Sequence, residues 1–293
     1  MNRCAFLTME QLDDFFVYDD LVKPYLNELG WQTDDISWHD VNTDYDDYDV
    51  VVVRSTWDYQ AYPEAFLSCL KKIEASSANL QNPLKLMQWN FSKDYLRDLE
   101  MNGVAILPTL WRDKFILSET LEAFETFNTD QIIIKPRVSA NADFTYRLTL
   151  EDLHTQANKI ESELNERSIM IQAFEKNVLA QGEYSLFYFA SEYSHTIVKR
   201  PAIGDFRVQE EHGGQMHTIE PSAEMLLLAK QTLKALPEES LYARIDMLNT
   251  SLGMAIIEVE LIEPSLYFNL DPVSPERFAK ALVQQYQSSA KDI

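Results

Sequence analysis

The chain has 293 residues, 46% hydrophobic and 12% aromatic, with a formal net charge of −22 at pH 7. That composition excludes wholesale disorder and can bury the cores of two or more lobes. So negative a chain is a poor ligand for nucleic-acid backbone or an anionic membrane, yet local Lys and Arg can still hold a small anion.

The opening stretch, MNRCAFLTMEQLDD, has too short an apolar run for a signal peptide. No window reaches the roughly 18 apolar residues of a membrane span, so a soluble cytoplasmic protein is expected. Cys4 and Cys69 sit in apolar settings that suit reduced core thiols better than a disulfide. Cys4–Thr8 reads as a first strand, and Leu21, Val22, Tyr25, Leu26 and Leu29 follow at helical spacing, with Gly30 placed as a cap. Gln32–Trp38 reads as a weaker strand, and Asp49–Arg54 as one buried on both sheet faces. A helix from Pro63 to about Ser76 completes a small doubly wound βαββα domain. Arg54, Ser55, Thr56, Trp57 and Asp58 stand beyond the carboxyl end of its third strand, where such sheets bind ligands. Arg54 suits a bidentate grip on a substrate carboxylate, the alternative being an Arg and Trp stacked at a domain edge.

Asn82-Pro83 marks a turn and a boundary. A helix from about Ser92 to Met101 carries Lys93 near its start, and Val104–Trp111 reads as a strand. Ser118 is placed to cap a helix over Glu119–Phe127. Ile132-Ile133-Ile134-Lys135-Pro136 is a strand ending in a cation, which must leave a buried position toward an anion or toward water. The loop Arg137–Tyr146 leads into a helix with Thr149 and Asp152 spaced as a capping box. Ser168–Phe174 is a further strand, and a β-rich region extends to about Thr218. Helices follow over Ser222–Leu236 and from Ser274 to about Gln287.

Between those helices, Leu241–Leu266 reads as two strands joined by a turn at Asn249–Gly253. Alternation puts Tyr242, Arg244, Asp246 and Leu248 on one face, and Ile256, Glu258, Glu260 and Ile262 on one face of the second strand. Pairing Leu248 near Ala255 sets Asp246 across from about Glu258, and Arg244 across from about Glu260. One guanidinium cannot neutralise three crowded carboxylates, so a hard divalent cation would balance them. A solvated face with ordinary ion pairs is the alternative. Glu263 is expected on the opposite face.

The chain has only seven glycines and lacks the P-loop and dinucleotide fingerprints, so any nucleotide must be held by Lys, Arg and metal between lobes. Ser139–Thr145 is small and polar enough to cover phosphates, or is an ordinary surface loop. There is no G-x-S-x-G, and the five histidines lack zinc-site spacing.

In order, Lys93, IIIKP with Lys135, the small-residue loop, IQAF (171–174), Gly182-Glu183, Lys199, Arg207, ARIDM (243–247) and EVELIEP (258–264) resemble the ATP-grasp superfamily of carboxylate–amine ligases. The last two look like the R-x-D and E-x-N elements of D-alanine–D-alanine ligase and bacterial glutathione synthetase. VVVRSTWDY (51–59), GEYSLFYF (182–189) and residues 193–214 are similar to the branch near O-ureido-serine cyclo-ligase.

The resemblance implies an α/β (α+β) ATP-grasp fold, with two α+β lobes holding ATP between them after a small doubly wound domain. The implied divisions are 1–84, 85–175 and 176–293. It implies a C–N bond-forming ligase that activates a carboxylate as an acyl phosphate and releases ADP and phosphate. The alternatives are a non-catalytic nucleotide-binding regulator and an ATP-grasp phosphotransferase. Lys93 and Lys135 would contact phosphates, Gln172, Ala173 and Phe174 would hold adenine, and Glu183 would hold ribose. Lys199 would reach phosphate or adenine. Arg207 would face the transferring phosphoryl group or the substrate carboxylate, and Arg244 would stabilise the oxyanion. Asp246, Glu258 and Glu260 would ligate magnesium, or manganese in its place. Implied partners are small carboxylate and amine substrates, amino-acid-like, with no nucleic acid and no membrane, and with a homodimer as an option. Two departures stand out: Glu260 occupies a position where the family often has Asn, and the loop reads SANAD where Gly is usual.

Overall fold

A computed structural model describes residues 1–289 apart from 14, 140–142 and 165. Ala140-Asn141-Ala142, within the segment expected to cover phosphates, therefore lies outside the described residues. The described residues form three sheets. The first contains β1 (Asn2–Thr8), β2 (Trp31–Ser37), β3 (Val50–Ser55) and β4 (Asn79–Gln81), all parallel, in the order β2-β1-β3-β4. Alternating residues of β1 and β3 enter two different cores. Cys4, Phe6, Val50 and Val52 pack with Leu26 and with Phe278 and Leu282 of the last helix, Ser274–Ser289. Ala5, Leu7, Val51 and Val53 pack with Phe66, Leu70 and Ile73 of the helix Pro63–Glu74. A strand covered on both faces needs apolar residues at every position, which is why β3 reads VVVV. The last helix thus returns to the first sheet, where the Tyr286 hydroxyl donates to Asp49 Oδ1 at 3.0 Å.

The second sheet has β5 (Thr109–Arg112), β6 (Gln131–Pro136), β7 (Tyr146–Thr149) and β8 (Ile169–Ala173), antiparallel in the order β5-β8-β6-β7. Ile132, Ile134, Ile169 and Ile171 pack against the helices Leu117–Thr126 and Leu150–Leu164, while Ile133 and Lys135 point the other way. The capping box forms: Thr149 N–H donates to Asp152 Oδ2, and Asp152 N–H to Thr149 Oγ1. Ser118 does not cap its helix, because the helix already begins at Leu117. The strand expected over Val104–Trp111 is confined to β5, and a further helix, Leu84–Asn90, precedes the helix Tyr95–Met101.

The third sheet comprises β9 (Glu183–Phe189), β10 (Glu192–Arg200), β11 (Gln215–Thr218), β12 (Tyr242–Thr250) and β13 (Gly253–Glu260), antiparallel in the order β11-β10-β9-β12-β13. Leu248 pairs with Ala255, Asp246 with Glu258 and Arg244 with Glu260. This register requires one extra residue on β13, and the pairing shifts between Asp246 and Met247. The bulge corrects the expected faces. Ile256 joins the core with Ile245 and Met247, whereas Ile257 and Glu258 both line the cavity.

Within its sheet β13 is an edge strand, and such an edge must be paired or covered. The segment 82–107 covers it: Val259 N–H donates to the Tyr95 hydroxyl, Asn90 Nδ2 to Val259 O, and Leu107 N–H to Ile256 O. Asn82 lies fully buried at the end of the first sheet. Its Nδ2 donates to Tyr242 O at 2.9 Å and Leu261 O at 2.7 Å, and its Oδ1 accepts from Leu241 N–H at 2.7 Å. Among the described residues no helix is long and apolar enough to cross a membrane. Because Asn82→Ala strands several buried backbone groups, it is expected to destabilise the chain by about 2–4 kcal/mol in urea denaturation. A loss below about 1 kcal/mol would show that this junction contributes little.

Candidate active site

The second and third sheets meet at a cavity of about 260 Å³, with Phe15, Trp57 and Tyr59 from the loops of the first sheet's domain along its wall. One end is an apolar slot: Ile133 and Phe174 on the side of the second sheet face Leu248 and Ile257 on the third, with Val178, Phe206 and Val208 closing it. Gln172, Ala173 and Phe174 border this slot, and Gln172 Nε2 donates to Thr109 Oγ1 at 2.9 Å. The slot accommodates a flat apolar ring.

Beyond the slot stand the charges. Lys93 Nζ, on the loop before the helix Tyr95–Met101, is 2.6 Å from Glu258 Oε1 and donates to Ser139 O at 3.0 Å. Lys199 on β10 pairs with Glu183 on β9 and lies 3.4 Å from Asp246 Oδ2. Gly182 allows that pairing, since a Cβ there would stand 2.5 Å from the Lys199 carbonyl oxygen. Arg244 Nη2 reaches Asp246 Oδ2 at 3.0 Å and also pairs with Glu260. The Ser185 hydroxyl donates to Asp246 as well. Arg207 lines the same cavity and pairs with Asp205 at 2.8 Å. Lys135 is the exception. Among the described residues its ammonium has no hydrogen bond and no ion pair, and burial lowers its pKa against the pull of Glu258.

Burial opposes ionisation at every acid here, and the neighbours decide the outcome. Glu258 stays below its ordinary value because Lys93 and Lys135 outweigh that burial. Glu260 is pushed up to about 7, by burial and by the charges of Glu258 and Asp246, despite Arg244. For Lys199 the order is reversed: burial would lower its pKa, but Asp246 and Glu183 raise it. Glu260 is therefore the carboxylate that its neighbouring cations satisfy least.

The expected three-carboxylate metal cage is not assembled. Among the described residues no group of three or more Asp, Glu, His or Cys side chains is arranged to hold a metal. The reason is physical: Asp246 is committed to Arg244, Lys199 and Ser185. Glu258 and Glu260 each present one oxygen beyond their single cation contact. Two carboxylate oxygens that have no cation contact among the described residues fit an ion such as magnesium, which takes one or two carboxylates and completes its shell with phosphate and water.

The substrate-side group fares differently. Arg54 is only 2% exposed; its Nε and Nη2 contact Asp19 Oδ1 at 3.0 and 2.9 Å, and Nη2 also donates to Pro264 O. Ser55 Oγ donates to the other Asp19 oxygen at 2.7 Å. Thr56 is buried, and Asp58 accepts from Trp38 Nε1 and contacts His39 Nε2. Of the five, Trp57 alone lines the cavity. The guanidinium grip expected of Arg54 is already occupied by Asp19, a long-range partner that strand position does not reveal. Sequence reasoning also missed Glu263. β13 ends at Glu260, so alternation no longer applies, and Glu263 lines the cavity.

A family model described as "D-cycloserine synthetase DcsG, N-terminal domain" matches residues 4–82. The chain is 25% identical over 275 residues to the cycloserine biosynthesis protein DcsG of Streptomyces lavendulae, covering 88% of this chain and 90% of that one. The crystal structure of D-cycloserine synthetase DcsG is similar with a TM-score of 0.86 at 22% identity, over 97% of this chain and 100% of that one. The ATP-grasp ligase PsnB, solved with a minimal precursor, Mg and ADP, is similar with a TM-score of 0.67 at 14% identity, over 97% and 98% of the two chains. These likenesses show that the chain has the fold of D-cycloserine synthetase DcsG and of the ATP-grasp ligase PsnB.

Proposed function

We propose that the chain is an ATP-dependent ligase that joins a carboxylate to an amine-type nitrogen through an acyl phosphate. The observation that carries this reading is Lys135, a half-buried ammonium in the cavity wall that makes no hydrogen bond or ion pair among the described residues. A desolvated cation in that state calls for an anionic ligand, and it stands beside Lys93 at the edge of the apolar slot. Adenine in the slot, with phosphates toward Lys135, Lys93 and Lys199, uses every one of these groups.

In the reaction, a carboxylate oxygen of the substrate attacks the γ-phosphorus and the bond to ADP breaks, leaving an acyl phosphate. An amine then adds to the carbonyl carbon, the bond to phosphate breaks and the nitrogen loses a proton. Such transfer needs positioned charge more than a protein nucleophile. Lys93 and Lys135 clamp phosphate oxygens, and Lys199, aligned by Glu183 and Asp246, reaches them from the opposite sheet. Glu183 is also within the cavity for ribose hydroxyls. Arg207 faces the transferring group, and Arg244, held by Asp246, donates to the oxyanion of the adduct. Magnesium, held by Glu258 and Glu260 with Asp246 behind them, would neutralise phosphate charge when bound, and manganese offers the same hard-oxygen chemistry. Amino-acid-like substrates, a cytoplasmic location, a homodimer and divisions at 1–84, 85–175 and 176–293 belong to the same proposal.

Incubation with ATP, magnesium and a panel of amino acids is expected to release ADP and phosphate, with hydroxylamine trapping the acyl phosphate; AMP as product would contradict the reading. Lys135→Met is expected to weaken ATP binding by about tenfold or more in calorimetry. Unchanged affinity would remove Lys135 from the phosphate site. Glu258→Gln is expected to abolish magnesium-dependent turnover while the thermal transition persists.

Glu260 adds a pH test. Its folded pKa of about 7 lies above the ordinary carboxylate value. Without nucleotide or divalent ions, ionising it costs stability that is lost as pH rises from the unfolded value through about 7. Glu260→Gln removes that loss, so between pH 5 and 8 the stability difference should move in the variant's favour by about 1–3 kcal/mol. A pH-independent difference in urea denaturation would contradict it.

A further inference from the structure

Glu263 is a charged residue of the cavity that this reaction leaves unused. Glu263 lines the wall just beyond β13, and among the described residues its carboxyl has neither a hydrogen bond nor an ion pair. The cations around it are committed: Lys93 to Glu258, Arg244 to Asp246 and Glu260, and Lys199 to Glu183. Arg54, the nearest cation in the neighbouring wall sequence, is withdrawn to Asp19 and to the carbonyl of Pro264. Burial, then the charge of Glu260, push the Glu263 pKa up to about 8. Glu263 is half-buried, and a carboxyl partly withdrawn from water without a partner favours a ligand that brings the opposite charge.

The wall next to it is aromatic. Trp57 Nε1 donates to the Glu263 backbone carbonyl at 2.9 Å, so the indole and this residue are fixed to one another. The Trp57 ring lies 5.1 Å from Phe15, and Tyr59 lines the same end. Carboxylate plus aromatic faces is the chemistry that receives a cation, whereas a second carboxylate would be repelled there.

We propose that Glu263, with Trp57 and Phe15 beside it, binds a positively charged amino group of the substrate and so sets specificity for amino-acid-like substrates. The inference rests on the ligase reading, because the reacting carboxylate of the same molecule would sit toward Arg244 and Arg207.

The test uses the full chain with D- and L-amino acids and their N-acetyl derivatives, reading ADP release and, separately, calorimetric binding of ADP with magnesium. Active amino acids are expected to lose their effect on N-acetylation. In Glu263→Gln their half-saturating concentration should rise about tenfold or more, with nucleotide binding unchanged. Glu263→Asp, which keeps the charge, should recover part of the loss. The proposal is overturned if N-acetyl derivatives work equally well, if Glu263→Gln leaves half-saturation unaltered, or if no amino acid stimulates or binds. Loss of nucleotide binding by the wild-type protein would instead overturn the ligase reading itself.

Discussion

Buried Asp246 has half-buried Glu258 and Glu260 beside it, and that proximity is tolerable only because cations from separate parts of the chain reach them. Arg244 comes from the same hairpin, Lys199 from β10 across the sheet, and Lys93 from the segment leading into the second sheet. Removing any one would leave a buried charge uncompensated, which costs far more than a surface ion pair contributes. The compensation is also incomplete, as the elevated pKa of Glu260 shows. A site with a poorly satisfied Glu260 and a Lys135 that makes no ion pair among the described residues is poised to receive an anion and a hard cation together.

The fold holds that balance by locking the edge of β13. Asn82, Asn90 and Tyr95 lie in a segment that joins the first sheet to the second, yet their side chains bond to the backbone of β12 and β13 or their flanks. The same connection that separates the sheets in sequence thus fixes the carboxylates in space. Tyr242 adds a further tie, its hydroxyl donating to the carbonyls of Val53 and Ile262. Because the second and third sheets both contribute walls to one cavity, small shifts between them would change the spacing of the clamp.

Much of this was legible in the residues. Period-two alternation identified the β12–β13 pair and the facing of Arg244, Asp246, Glu258 and Glu260, because buried faces tolerate no slip of register. Three isoleucines followed by Lys135 marked a cation leaving a core, and VVVV marked a strand covered on both faces. What escaped were features without a local signal. The bulge that brings Ile257 to the cavity adds one residue, which an alternating pattern does not announce. Asp19 captures Arg54 from 35 residues away in sequence, so the position of Arg54 at a strand end was no guide to its availability. Glu263 was assigned to the wrong face by extending alternation past the last paired residue of β13.

The central claim, that this cavity activates a carboxylate by phosphorylation, is tested most directly by oxygen transfer. An amino acid that supports ADP release, labelled with ¹⁸O in its carboxylate, is turned over with ATP and magnesium, and the released phosphate is examined by mass spectrometry. The account predicts one ¹⁸O atom in each phosphate, because the acyl phosphate breaks between carbon and the labelled oxygen. Phosphate without label, released at the rate of product formation, would contradict it.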